Sequence, residues 1–250
     1  MADYAAFARF YDDIVGDRSE EIDRIRSYIS LFRPGAKRLL ELGCGTGAVL
    51  TGLGGELEVA GVDRSPEMLA IAADRLPGAR LVEADMTRFR LDALFDVVIC
   101  VFDTLNHLPR FDLWLALFDR AREHLTEGGL FIFDVNTVGR MRGLHATPQY
   151  VEDFGGGVFS MQVRPGEIRP GEGEVSVWTT TISERRRDGG YQQHVEPILE
   201  LAVPLHRIRT ALAAGFEPLH EAGLDDDDPS DESDRVYFCY RRTPGGPQLR

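Results

Sequence analysis

The 250-residue chain has little cysteine: Cys44, Cys100 and Cys239 are all it carries. The number is odd, and the spacing suits neither a disulfide framework nor a metal-ligand set. Cys44 sits in a glycine loop and Cys100 in an apolar run. We therefore expect small buried hydrophobes in a reducing compartment, and no metal. Long apolar runs are missing as well; none approaches the roughly 18 residues of a membrane span. The N-terminus carries Asp3 and lacks the basic-then-apolar order of a secretory signal. These absences give the expectation of a soluble, cytoplasmic protein with no membrane partner. Positive charge is in deficit, with 28 Lys and Arg against 41 Asp and Glu and a formal net charge of −13. Binding a nucleic-acid backbone needs clustered cations, so no nucleic-acid partner is expected. A neutral or cationic small molecule is easier to accommodate. Internal repeats are absent too.

What is present is enough apolar material, 43% of residues, for one large domain or one domain with an embellishment. The organising stretch is Arg38-Leu39-Leu40-Glu41-Leu42-Gly43-Cys44-Gly45-Thr46-Gly47. Leu39 to Leu42 reads as a buried parallel strand. Three glycines at alternate positions follow, where the backbone can turn sharply and approach a ligand. Ala48 to Leu53 reads as a helix ended by Gly54-Gly55, and Glu58 to Asp63 as a second strand. Ser65-Pro66-Glu67 supplies a cap, a first-position proline and an early acid for a helix to about Leu76. Asp63 is thereby left for a ligand, the alternative being that Asp63 itself caps the helix. Strand three is Ala79 to Glu83 and strand four Phe95 to Val101. An amphipathic helix spans Asp112 to Leu125, and Leu130 to Asn136 forms strand five. Alternating strands and helices specify an α/β fold with a parallel sheet, whose carboxyl edge binds ligands.

Before this core, residues 3–15 read as an aromatic-rich helix and Ser19 to Phe32 as a second, capped by Ser19. After it, residues 138–203 lose helical periodicity and alternate apolar with polar residues. Arg187-Asp188-Gly189-Gly190 is a hairpin signal, so an inserted antiparallel sheet is expected. The basic run 185–187 is read as a solvated hairpin end. Leu205 to Ala214 reads as a helix. Phe216 to Leu219 and Arg235 to Tyr240 read as an antiparallel pair at one sheet edge, flanking a solvated acidic loop at 225–234.

The stretch E-L-G-C-G-T-G resembles motif I of the class I S-adenosylmethionine-dependent methyltransferases. V-D-R-S-P-E-M-L, A-D-M and F-D-V-V carry the resemblance onward across about residues 7–136 and 205–241. It implies a doubly wound, Rossmann-like sheet of seven mostly parallel strands, with an antiparallel β-sheet inserted after strand five. Residues 1–137 and 204–250 would bind S-adenosyl-L-methionine, and 138–203 would be an acceptor lid and a surface for a homodimer. The cofactor site would comprise Tyr11, Glu41, Gly43, Cys44, Gly45, Gly47, Asp63, Arg64, Met68, Asp85, Met86 and Val101. Within it Glu41 would serve the ammonium, Asp63 the ribose and Asp85 the adenine amino group, with Met86 against the ring. Tyr11-Asp12 is similar to an N-terminal element that folds over the cofactor as a lid. A helix face packing on the core is an alternative compatible with it.

The layout is similar to small-molecule enzymes such as aminosugar N-methyltransferases. That likeness implies His107 and Tyr11 as catalytic candidates, and Asp103, Asn106, His107 and Asn136 along the acceptor. His107 has the ring chemistry to take a proton from an amine; otherwise it merely flanks a helix. Two other classes stand beside this one. A nicotinamide-dependent oxidoreductase is disfavoured because the G-x-G-x-x-G spacing is absent. A non-catalytic S-adenosylmethionine-binding protein would share the motifs.

Overall fold

The computed structural model describes residues 7–147, 149–224 and 227–245. The first residues of the expected N-terminal helix, and Asp225 and Asp226 of the acidic loop, lie outside the described residues. From the N-terminus the elements are α1 (Tyr11–Val15), α2 (Ser19–Phe32), β1 (Arg38–Leu42), α3 (Ala48–Leu53), β2 (Glu58–Asp63), α4 (Pro66–Arg75), β3 (Arg80–Glu83), β4 (Phe95–Cys100), α5 (Phe111–His124) and β5 (Leu125–Asn136). Then come α6 (Val138–His145), β6 (Tyr150–Asp153), β7 (Gly157–Arg169), β8 (Gly173–Arg185), β9 (Tyr191–Ala202), α7 (Leu205–Leu212), β10 (Phe216–Gly223) and β11 (Arg235–Arg242).

Seven strands form one sheet in the order β10-β11-β5-β4-β1-β2-β3. β1 pairs in parallel with both β2 and β4, so the winding reverses there. Such a reversal opens a crevice at the carboxyl ends of the strands. β11 runs antiparallel to β5 and to the edge strand β10. Side chains alternate across a strand, so Leu39 and Leu40 are both fully buried yet belong to different cores. Leu39, Val97 and Ile99 pack under Ile25 and Tyr28 of α2 and Leu50 of α3. Leu40, Val98, Phe131 and Phe238 pack under Trp114 and Phe118 of α5 and Ile208 of α7. Each sheet face is covered, as near-continuous apolar strands require.

The insert holds a separate antiparallel sheet, β6-β7-β8-β9. It also contains α6, which the sequence reading missed. Gly139 and Gly143 dilute its periodicity, and Thr137 starts it by accepting the Arg140 N–H at 3.0 Å. β5 starts at Leu125 rather than Leu130, running straight out of α5 through Gly128-Gly129. The N-terminal segment is a short 3-10 turn, Ala8–Phe10, followed by α1. Ser19 does not cap α2; Asp17 accepts its N–H at 3.1 Å. Among the described residues no helix is long and apolar enough to cross a membrane.

Candidate functional site

A cleft with about 740 Å³ of empty space opens where the loops after β1, β2, β3 and β4 meet. Gly43, Gly45 and Gly47 all take positive φ, at 73°, 51° and 73°. A Cβ on Gly45 would meet nothing within 4 Å, because this residue faces the cleft. A Cβ on Gly43 would stand 2.3 Å from Thr104 Cγ2, so the loops after β1 and β4 touch only because Gly43 has none.

Asp63 closes β2 and does two things at once. Its Oδ2 accepts the Gly45 N–H at 2.8 Å and its Oδ1 the Ser65 N–H at 2.9 Å. Ser65 caps α4 through the Met68 N–H, at 3.3 Å. The expected separation of roles therefore holds only in part. Asp63 lines the cleft and also fastens the glycine loop.

Glu41 lies under that loop, 4% exposed, and its Oε2 is buried without a hydrogen-bond partner. Burial, with Asp63 nearby, pushes its carboxyl well above the usual range, and Arg18 pulls it back. A buried acceptor lacking a donor fits the ammonium of an amino-acid tail. Along the other wall, Asp85 Oδ1 accepts the Thr87 N–H at 2.8 Å and hydroxyl at 2.7 Å. Arg64, Met68, Ala84 and Met86 line the same cleft.

Four expected cofactor residues are not among those that line this space. Cys44 is buried against β2, where a Cβ on Gly61 would come within 2.5 Å of its Sγ. Gly47 starts α3, Val101 is in the core, and Glu41 sits beneath the cleft's lining.

α1 covers one side. Asp12 accepts from Thr46 Oγ1 at 2.8 Å, Arg75 at 2.5 Å and Arg18 at 3.1 Å, which ties α1 to the glycine loop and to α4. On its other side Phe7 meets Phe159 edge-on at 6.0 Å, and Arg9 pairs with Glu184. The N-terminal segment thus joins the insert to the glycine loop, packing against both. Tyr11 lines the cleft, and burial pushes its phenol up to about 12.

The loop after β4 is strained: Phe102 and Asp103 take φ of 59° and 48° without being glycine. A buried polar network holds it. The Asp103 N–H donates to Asp134 Oδ2 at 3.1 Å, and Arg235 Nη2 donates to Asp103 Oδ1 at 2.8 Å. Asn136 Nδ2 donates to Asp103 Oδ2 at 3.2 Å and to Glu200 Oε2 at 3.4 Å. Asn106 is fully buried and committed: it donates to the carbonyls of Asn136 (3.0 Å) and Leu201 (2.9 Å). Asn106 and Asn136, expected along the acceptor, are therefore braces, while His107 lines the cleft. His107 Nε2 stands 3.7 Å from Glu200 Oε1, with 20% of its side chain exposed. Burial lowers the His107 pKa, Arg64 adds to this, and Asp103, Glu196 and Asp63 oppose it.

Sequence reasoning missed Glu200, Asp134, Arg235, Phe102 and Thr104. The two acids left a signal: each interrupts an apolar strand, as Leu199-Glu200-Leu201 and Phe133-Asp134-Val135.

Residues 39–129 match the family model described as a methyltransferase domain. A protein of Geobacillus sp. (strain WCH70), provisionally named a methyltransferase, is 29% identical over 251 residues, covering 96% of this chain and 99% of that one. The dTDP-3-amino-3,4,6-trideoxy-alpha-D-glucopyranose N,N-dimethyltransferase of Streptomyces venezuelae is 33% identical over 123 residues, 49% of this chain and 50% of that one. In fold the chain is similar to an S-adenosylmethionine-dependent methyltransferase from Clostridium acetobutylicum ATCC 824, with a TM-score of 0.84 at 21% identity, covering 96% and 99%.

Proposed function

We propose that this chain, an S-adenosylmethionine-dependent methyltransferase, delivers the methyl group to an amino nitrogen of a small, sugar-like acceptor. The observation that carries the nitrogen is His107. It is a partly exposed imidazole at the cleft, kept neutral by burial and backed by a buried carboxylate. A hydroxyl is too weak an acid for such a ring to deprotonate in the ground state, whereas an ammonium is a fair match. The sugar part draws support from the Streptomyces venezuelae relative, named as an amino-sugar N,N-dimethyltransferase. The oxidoreductase reading finds no support, since the glycine spacing and the relatives agree against it.

When bound, S-adenosylmethionine supplies an electrophilic methyl group. In this reading Glu41 Oε2 accepts from its ammonium, the Gly43–Gly47 turn leaves room for its amino-acid tail, and Asp63 accepts from the ribose. Asp85 takes the adenine amino group, with Met86 along the ring and Arg64 and Met68 completing the wall. Cys44, Gly47 and Val101 contribute backbone and shape. Tyr11 closes the cleft as a neutral phenol, since a group raised to about 12 is not a base near neutrality. His107 removes the proton that blocks the acceptor's lone pair, and Asp103 holds the loop that carries it. Much of the rate then comes from holding the acceptor in line and excluding water.

The insert would act as the acceptor's lid and as the contact between two copies. β9 is an edge strand with Tyr191, Val195 and Leu199 exposed on one face. An unpaired edge bearing an apolar row suits pairing with its own copy. Three free, buried thiols accord with a cytoplasmic setting.

The test is mass spectrometry with S-adenosylmethionine and dTDP-linked 3-amino-3,6-dideoxyglucose, beside the same sugar nucleotide with hydroxyl in place of amine. Methylation of the amine alone supports the reading. Methylation of the hydroxyl sugar alone refutes it.

A further inference from the structure

Glu200 lies in β9 of the insert, far along the chain from the glycine loop, and its side chain is only 2% exposed. Such a carboxylate is costly to bury and is retained where it is paired or used. Its two oxygens have different company. Oε2 accepts from Asn136 Nδ2 at 3.4 Å, while Oε1 faces His107 Nε2 at 3.7 Å. The other acid of the cluster, Asp103, is already engaged on both oxygens, by Arg235 and by Asn136. Among the described residues Asp103, His107 and Glu200 bring ligand-type atoms within 4.8 Å of one another, a set that could also hold a cation. Yet Arg235 already supplies a positive charge to Asp103, at 2.8 Å, and to Asp134, at 3.1 Å. What remains open is the short gap between the Glu200 carboxylate and the imidazole.

We propose that Glu200 is the positioning residue for His107, and that the two side chains act as one proton acceptor for an ammonium group of the acceptor. This rests on the amine reading above. The step is a proton transfer. The N–H bond of the ammonium breaks and its electron pair stays on nitrogen as the attacking lone pair. A new N–H bond forms on the His107 ring, and the imidazolium pairs with the Glu200 carboxylate. No other reactant is needed. The gap of 3.7 Å is too long for a hydrogen bond at rest, and such contacts tighten in the loaded complex.

The surroundings support sharing. Burial drives the two groups in opposite directions: it raises Glu200 well above the carboxylate range and lowers His107. Burial thus favours the uncharged form of each group, and the facing atoms, 3.7 Å apart, are placed for one proton to be shared between them. Charged groups face the pair from several elements. Asp103 from the loop after β4 and Asp134 from β5 raise Glu200, while Arg235 from β11 and Asn136 lower it. Around His107, Asp103, Glu196 of β9 and Asp63 of β2 oppose the burial and Arg64 adds to it. Asn136 donates to both Glu200 and Asp103, and so ties β5, β9 and the loop after β4 together.

The experiment is NMR titration of the His107 ring and the Glu200 carboxyl carbon in the full chain saturated with S-adenosylhomocysteine. In the wild type both signals should move with a common midpoint. A flat Glu200 signal beside a titrating His107 overturns the proposal without any variant. In Glu200→Gln the His107 midpoint should fall by about one pH unit, a tenfold change in proton affinity, with Glu200→Asp in between. An unchanged midpoint in folded Glu200→Gln also overturns it.

With an amino-sugar acceptor, kcat of Glu200→Gln should drop about tenfold or more while KM holds. Its acid limb should move to lower pH, an effect that mere loosening of the fold would not produce. Methyl transfer lost in EDTA and restored by a divalent cation would assign the three atoms to a metal and overturn the shared proton. If wild type methylates only hydroxyl acceptors, the amine reading fails, while the titration still reports on the pair.

Discussion

Replacing Asp63 by Asn tests how the cleft is built more sharply than deleting the side chain. Two backbone N–H groups, of Gly45 and Ser65, now donate to its two carboxylate oxygens at 2.8 and 2.9 Å. Asn keeps one oxygen and turns an N–H₂ toward the other donor, so one of the two bonds must go. A hydrogen bond to a charged group contributes roughly 1.5–3 kcal/mol. In a chain of this size each kcal/mol moves Tm by roughly 2–4 °C, so the apo protein should melt roughly 3–12 °C lower. If the same carboxylate also accepts from the ribose, calorimetry should show S-adenosylhomocysteine binding weakened by roughly ten- to a hundredfold. Ser65→Ala is the control. It removes only the α4 cap, at about 1 kcal/mol, and should leave affinity alone. A lower Tm with intact affinity in Asp63→Asn would refute the ribose role. Lost affinity with an unchanged apo Tm would refute the loop-fastening role.

Gly45→Val should fold, because a Cβ there meets nothing within 4 Å and a φ of 51° costs roughly 1–2 kcal/mol. It should still lose cofactor binding by calorimetry; undiminished affinity would detach this loop from the ligand. His107→Ala should lower kcat by roughly 10²–10⁴-fold with S-adenosylhomocysteine affinity unchanged, and equal turnover would remove the base. Wild-type rate should fall as pH drops, since a protonated ring cannot accept; the low-pH limb should vanish in His107→Ala. Tyr11→Phe should leave the shape of the pH–rate profile unchanged from about pH 6 to 10, because a phenol raised to about 12 stays neutral throughout. A basic limb that disappears in this variant would show that the phenolate works.

The sheet was legible because its signals are local. Leu39–Leu42 and Phe95–Cys100 are buried runs of the length a parallel strand needs, and the glycines mark where β1 ends. The Ser65-Pro66 cap was legible for the same reason, since its bond to Met68 spans three residues. Ser19 is the first residue of α2 rather than its cap, and Asp17 accepts both its N–H and its hydroxyl; composition does not choose between such near neighbours. α6 was hidden by its two glycines. The strain at Phe102-Asp103 was illegible, because Phe rarely adopts positive φ and a lone Asp does not announce it. It is imposed by Arg235, Asp134 and Asn136, whose positions are set by two other strands.

The insert is where local reading and structure part most. As a sequence it looks detachable, an antiparallel sheet bounded by Thr137 and Pro204. Its last strand is not. Leu201 and Val203 belong to the same core as Phe131 and Trp114, and Val175 joins them from β8. The Leu201 N–H donates to the Asn106 carbonyl at 2.8 Å, and the Leu201 carbonyl accepts from the Asn106 side chain. One strand therefore seals the core at Leu201 and, one residue earlier on its opposite face, turns Glu200 toward His107. A one-residue slip of β9 would exchange those faces, burying the wrong side chain in the core and taking the carboxylate from the imidazole. The apolar seal fixes the register of the acid. The His107 end of the cleft is thus positioned by the packing of the main domain, although the carboxylate behind it comes from the insert.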